Sequence, residues 1–277
     1  MITDSMKKQR AFLKWAGGKY TLADEIKRHL PEGDCLIEPF VGAGSVFLNT
    51  DYPRYVLADI NSDLIHLYTM VKQRTQEFID ESRKLFTPQF NDELQYYALR
   101  EQFNQSTDHF ERSILFLYLN RHCYNGLCRY NSKGRFNVPF GRYRKPYFPE
   151  AELLWFAEKA RNAVFVCQSY VTSMENAGTG DIVYCDPPYA PLSLTANFTA
   201  YHTSRFGLPE QQNLAQLAQM LSSDRKIPVL ISNHDTPLTR EWYHQAQLHI
   251  VKVRRTISRN TLNRQKVNEL LALYRGQ

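Results

Sequence analysis

Short runs of consecutive apolar residues alternate along the chain with stretches whose apolar residues recur at helical spacing. CLIEPF (35–40) and YVLADI (55–60) come early, while AVFVC (163–167), DIVYCD (181–186), IPVLIS (227–232) and HIVKVRRT (249–256) come late. These runs read as strands. Between the late runs, PEQQNLAQLAQML places Leu214, Leu217 and Leu221 on one face of a helix. The alternation predicts an α/β fold, a mostly parallel sheet with flanking helices.

The interval between the second and third strand runs is too long for a single crossover and carries helical patterns of its own. They lie around Leu64, Leu67, Val71 and Phe78, around Tyr97 and Phe103, and through ILFLYL (114–119). Residues 62–149 are therefore expected to form a second, largely helical module inserted into a sheet domain made of 1–61 and 150–277.

Composition narrows the class. With 277 residues, 43% hydrophobic and 13% aromatic, the chain can pack a core, which excludes disorder as the default. No run of apolar residues is long enough for a membrane span, and MITDSMKKQR lacks the apolar centre of a signal peptide, so a soluble cytoplasmic protein without a membrane partner is expected. Cys35, Cys123, Cys128, Cys167 and Cys185 are odd in number and form no CxxC pair. Neither a disulfide framework nor a metal site is expected.

Charge changes the picture through its distribution rather than its sum of +6. From Arg112 to Pro149 there is no acidic residue, whereas Arg112, Arg121, Arg129, Lys133, Arg135, Arg142, Arg144 and Lys145 are basic and Tyr124, Tyr130, Phe136, Phe140, Tyr143 and Tyr147 interleave with them. Asn125-Gly126 and Asn131-Ser132-Lys133-Gly134 signal turns and suggest a β-hairpin narrow enough to enter a DNA groove. Taken singly, most of these residues fit a solvated basic face. As a cluster they fit phosphate neutralisation on a nucleic acid.

The candidate chemistry lies at strand ends, where open α/β sheets bind ligands. DPPY (186–189) follows the strand IVYC directly. Its prolines remove amide donors and leave carbonyl acceptors beside an acid and an aromatic ring, a pocket suited to a planar base with an exocyclic amino group. If Asp186 and the Pro187 carbonyl accept the two N–H bonds, the nitrogen lone pair becomes available to attack a methyl group, with Tyr189 stacking on the base. On its own, DPPY equally fits a strand-ending β-turn. In EPFVGAGSVF (38–47), Gly42 and Gly44 allow a tight turn and a close backbone approach to a ligand, and Asp59 ends the following strand where a carboxylate can accept ribose hydroxyls. FLKWAGGKY (12–20) looks like half a phosphate loop, but Leu13 stands where the first glycine belongs and Tyr20 where a Ser or Thr belongs.

FLKWAGGK, EPFVGAGSVF, VLADIN, NGLCRYNSKGRFNVPFGRY, VYCDPPY and LISNHD, in this order, resemble the Dam-type DNA adenine-N6 methyltransferases that act on GATC, of the α group. The resemblance implies a Rossmann-like methyltransferase sheet with an inserted, mainly helical target-recognition domain carrying a β-hairpin. It implies S-adenosylmethionine as cofactor, contacting Trp15, Lys19, Phe40, Gly42, Gly44, Asp59, Ser169, Tyr170 and Asp186, and catalysis by Asp186, Pro187 and Tyr189. Double-stranded DNA would be met by Lys14, Tyr124, Asn125, Leu127, Arg129, Pro139, Arg142 and Tyr143, with Leu127 and Arg129 reading the outer bases. The implied enzyme is a monomer that flips an adenine out of the duplex, with roles in mismatch-repair strand marking and replication control. A methyltransferase of a restriction-modification system and an RNA amino-methyltransferase are the alternatives. SLTANFTAYHTSRF, with Phe198, Tyr201 and Phe206, is a lid candidate or an ordinary surface loop, and SRNTLNRQKVNELLALY matches no signature of the family.

Overall fold

A computed structural model describes residues 8–189, 206–252 and 268–276. MITDS, most of the lid candidate including Phe198 and Tyr201, and the first part of SRNTLNRQKVNELLALY lie outside the described residues.

The strands are β1 (Cys35–Glu38), β2 (Arg54–Asp59), β3 (Ala163–Cys167), β4 (Asp181–Cys185), β5 (Val229–His234), β6 (Gln247–Lys252) and β7 (Asn268–Tyr274). They form one sheet in the order β3-β2-β1-β4-β5-β7-β6. β1 pairs in parallel with β2 and with β4, and β4 with β5, while β7 runs antiparallel to both β5 and β6. The α/β expectation and its six strands are met within a residue or two at most ends. The seventh strand, NELLALY, is an addition. All but its first residue are buried, so apolar residues run consecutively along it instead of alternating.

The helices are α1 (Ala23–His29), α2 (Ser62–Gln73), α3 (Thr75–Lys84), α4 (Glu93–Gln105), α5 (His109–His122), α6 (Glu150–Lys159), α7 (Tyr170–Glu175), α8 (Leu208–Arg225) and α9 (Pro237–Trp242). Their ends follow local chemistry. Asn61, Asp92 and Asp108 cap α2, α4 and α5, each accepting from amides of the first turn through its side chain.

Two compact units divide the chain. One comprises Met1–Thr21, Val41–Thr50 and Asp59–Cys167; the other comprises Leu22–Phe40, Asp51–Ala58 and Gln168–Gln277. In the first, Phe12, Phe47, Tyr68, Phe156 and Phe165 pack ring on ring. The nearby α5 is buried from Leu115 through His122, as its unbroken apolar run requires. In the second unit, Ile37, Val183, Val229, Ile231, Leu270 and Ala272 from four strands meet Leu214, Ala218 and Leu221 of α8.

Candidate active site and nucleic-acid interface

In the first unit the glycine turn is built around one carboxylate. Asp59, the last residue of β2, accepts the Gly42 amide at 3.2 Å and the Asn61 amide at 3.0 Å. Burial raises its pKa above the ordinary carboxylate value, and the amides of Asn61, Gly42 and Ile60 oppose that shift. Gly42 lies at φ +47°, and a Cβ there would stand 3.0 Å from the indole nitrogen of Trp15. Glycine is needed for both reasons. The Gly42 carbonyl accepts the Tyr68 hydroxyl, which fixes the turn from below. Lys19 is buried, and its ammonium donates to the Gly17 carbonyl at 2.8 Å. Trp15, Lys19, Gly42, Gly44 and Asp59 therefore all belong to this unit, with Trp15, Gly42 and Asp59 in direct contact.

In the second unit, β1 and β4 are adjacent and parallel, with the next parallel strands on opposite sides of the pair. The strand order reverses here, and the carboxyl ends at such a point form the usual ligand crevice. Glu38 ends β1 and Asp186 follows β4 at this rim. Ser232 of β5 donates to an Asp186 carboxylate oxygen at 3.3 Å and lies 3.0 Å from the Tyr184 hydroxyl. Gln211 of α8 donates to the Pro188 carbonyl at 2.6 Å. Among the described residues the Pro187 carbonyl has no such donor. The Tyr189 hydroxyl donates to Glu269 of β7 at 3.1 Å, and its ring stands edge-on to His234 at 4.7 Å. Burial, with Asp186 and Glu269 nearby, holds the Tyr189 phenol well above its ordinary pKa, so it remains a donor.

Phe40, Tyr170 and Phe206 form an aromatic trio in the same unit, with Phe40 stacked on Tyr170 at 5.4 Å. The Ser169 hydroxyl accepts the Thr172 amide as the cap of α7. Ser232, Gln211, His234 and Glu269 were not singled out from the sequence. LISNHD belonged to the resemblance without assigned roles. Its period as a strand ending beside DPPY is the signal that points to Ser232 and His234.

The basic stretch separates into two populations. Arg112 is held inside the first unit by Asp63, at 2.6 Å, and by the carbonyls of Phe103 and Ser106. Arg121 is buried against the carbonyls of Tyr147 and Phe12. These two serve the fold. Arg129 is exposed and donates to the Asn137 side chain at 2.8 Å. Arg142, also exposed, pairs with Glu93 at 3.0 Å, a contact worth little at a solvated surface. Arg135 reaches Glu101. Residues 123–140 double back through two isolated antiparallel bridges, Cys123 with Phe140 and Tyr130 with Phe136, instead of a continuous ladder. Tyr124 and Pro139 meet through a backbone hydrogen bond at 2.8 Å, and Asn125 takes a left-handed φ of 55° at the turn.

Lys14 joins this surface from far along the chain. Asn120 brackets it, accepting its amide at 2.9 Å and donating to its carbonyl at 2.7 Å. Its ammonium lies 3.8 Å from the centre of the Tyr143 ring. Gly126, at φ +64°, leaves the space that its aliphatic stem fills, since a Cβ there would overlap it. Lys14, Tyr124, Asn125, Leu127, Arg129, Pro139, Arg142 and Tyr143 thus all fall within the first unit, with Lys14 and Tyr143 in contact.

Among the described residues no helix is long and apolar enough to cross a membrane. Comparison with known proteins gives the family. A DNA adenine methylase of Serratia marcescens is 70% identical over 270 residues, covering 98% of this chain and 100% of the relative. Those of Escherichia coli K12 and of Vibrio cholerae are 68% and 59% identical, each covering 97% of the relative. The model of the D12 class N6 adenine-specific DNA methyltransferases matches residues 15–257. A parallel sheet with an acid-proline turn at its switch point, matched to one family over most of its length, places the chain in that family: it is an adenine-specific DNA methyltransferase of the D12 class.

Proposed function

We propose that the enzyme transfers the methyl group of S-adenosylmethionine to N6 of an adenine extruded from a GATC site in duplex DNA. The observation that carries the reading is the turn after β4, where Ser232 holds the Asp186 carboxylate and, among the described residues, no donor takes the Pro187 carbonyl. When bound, S-adenosylmethionine supplies an electrophilic methyl on a sulfonium. Asp186 and the Pro187 carbonyl accept the two N–H bonds of the amino group, which localises its lone pair for attack. The new N–C bond would form as the sulfonium's methyl–sulfur bond breaks, leaving a neutral thioether, and one of the two protons then leaves the nitrogen along the Asp186 hydrogen bond. Tyr189 stacks on the base and offsets the unstacking cost of roughly a few kcal/mol.

The residues fit such a cofactor on two counts. The Asp59 carboxylate sits beside a glycine turn that only glycine can form, the arrangement that accepts ribose hydroxyls and admits a nucleoside close to backbone. Trp15, Lys19 and Gly44 are assigned to the same cofactor by the resemblance, as are Phe40, Ser169 and Tyr170. Residues 62–149 act as the target-recognition domain within a catalytic domain of 1–61 and 150–277. Arg129 and Leu127 read the outer bases from the folded-back segment, Lys14 reaches a guanine, Pro139 packs beside them, and Arg142 and Tyr143 contact phosphates. Tyr124 and Asn125 meet the duplex where the adenine leaves. The enzyme works as a monomer in the cytoplasm, on the nucleoid, and its mark serves strand choice in mismatch repair and control of replication.

The test is to express the chain in cells lacking GATC methylation and digest their DNA with GATC nucleases that are respectively blocked by and dependent on N6-methyladenine. Protection from the first with sensitivity to the second is expected. Cleavage by the first alone refutes the assignment.

A further inference from the structure

A cavity of about 430 Å³ opens in the second unit, at the opposite rim of the sheet from Asp186. Arg28 and His29 enter it from the last turn of α1, His249 from β6 and Arg275 from just beyond β7. Leu30 and Pro31, which lead into β1, join Pro228 and Leu273 as its apolar walls. Every polar side chain lining it is thus a cation or an imidazole.

The charges are poorly compensated. The Arg275 guanidinium donates to the Gln247 carboxamide, at 2.8 and 2.5 Å, and that partner is neutral. The imidazoles of His29 and His249 face each other with ring centres 4.2 Å apart. His29 Nδ1 lies 2.8 Å from the Glu25 carbonyl, which orients that ring. His249 Nε2 is shut off from water and has no hydrogen-bond partner among the described residues, a state that costs free energy. Glu25 of α1 lies beside the group; it is engaged by Arg28 at 2.6 Å and lies 3.9 Å from His29 Nδ1.

From this geometry we propose that the cavity binds a small phosphate-bearing anion, with the Arg28 and Arg275 guanidiniums and the His29 and His249 imidazoles as its donors. A guanidinium fork matches phosphate oxygens. Nothing in the methyl-transfer reading uses these residues, and the inference stands without it.

Protons are linked to the binding. In the free protein, burial together with His29 and Arg275 pushes the His249 pKa down, against Glu25. A bound dianion favours the protonated ring, so affinity rises as pH falls through the histidine range.

The test uses the full chain at low salt, titrated with pyrophosphate, inorganic phosphate and, separately, a duplex lacking GATC. Calorimetry supplies the affinities and imidazole NMR signals report the site. One saturable pyrophosphate site is expected, tighter at pH 6 than at pH 8, with the His29 and His249 signals shifting. His249→Gln and Arg275→Gln should each weaken it by about tenfold or more, with methylation of GATC duplex unchanged and thermal unfolding confirming an intact fold. Absence of saturable binding at pH 6, or affinity unmoved in both variants, overturns the proposal. Loss of duplex affinity in Arg275→Gln without a pyrophosphate site would assign the pocket to the DNA backbone and overturn it as a small-anion site.

Discussion

Replacing Arg112 by leucine removes the cation around which the first unit's helices are tied. The guanidinium donates twice to one Asp63 oxygen, at 3.1 and 2.6 Å, and once each to the carbonyls of Phe103 and Ser106, at 2.6 and 2.9 Å. It also lies 4.3 Å from the centre of the Phe103 ring. Without it, the largely buried Asp63 carboxylate keeps, among the described residues, only the Tyr130 hydroxyl, at 2.7 Å, as a side-chain donor. Breaking a buried ion pair from one side costs about 3–5 kcal/mol, because the remaining charge is left desolvated. Against a total of about 5–15 kcal/mol this is severe. At roughly 2–4 °C per kcal/mol for a chain of this size, Tm should fall by roughly 6–20 °C. Urea unfolding followed by circular dichroism measures the cost. Adding Asp63→Asn to Arg112→Leu removes the stranded charge, so the double variant should be more stable than Arg112→Leu alone. A cost below about 1 kcal/mol for the single variant, the range of a surface pair, would refute the argument, as would a double variant no better than the single.

Four further outcomes are expected. Asp186→Ala should abolish methyl transfer while leaving duplex affinity within a fewfold, measured by tritiated-methyl incorporation and fluorescence anisotropy; equal loss of both would remove its assigned role. Arg129→Ala should relax sequence choice, so activity on near-cognate sites should fall less than on GATC, whereas a uniform loss would make Arg129 a phosphate contact only. The Asp59 carboxyl holds its proton more tightly when folded than in the unfolded chain, where its reference value is 3.8. Its contribution to stability is therefore present at low pH and lost as pH rises through the folded pKa. S-adenosylmethionine affinity should move the other way, rising through the same pH range and then levelling, which calorimetry at several pH values checks. Gly42→Ala should cost roughly 1–2 kcal/mol for the left-handed backbone, and more as the Trp15 ring is displaced, with cofactor affinity falling in the same titration.

Strands and the acid-proline turn were legible because their signals are local. A run such as IVYC followed by DPPY needs no knowledge of the rest of the chain. NELLALY was not legible as a strand, since it is buried on both faces and is made largely of good helix formers; its partners β5 and β6, rather than its own propensity, decide its conformation. Glu269 stayed invisible for the same reason, its partner Tyr189 being distant in sequence. The acid-free stretch signalled its overall charge but not which arginines face water. Arg112 and Arg121 turn inward because Asp63 and several backbone carbonyls wait there, and of those partners Asp63 and Phe12 lie far outside the stretch that made the pattern. The glycine turn was legible as a turn, while its dependence on Trp15 required the fold.

The placement of β7 bears on how the enzyme is made. β7 follows β6 in the chain yet lies between β6 and β5, so β6 has no strand to pair with until the later segment has threaded into place. The same late strand carries Glu269 to the hydroxyl of Tyr189. A chain still emerging from the ribosome can therefore hold the sequence DPPY long before its tyrosine is anchored. Synthesis order alone keeps an unfinished chain from presenting this turn with its tyrosine anchored.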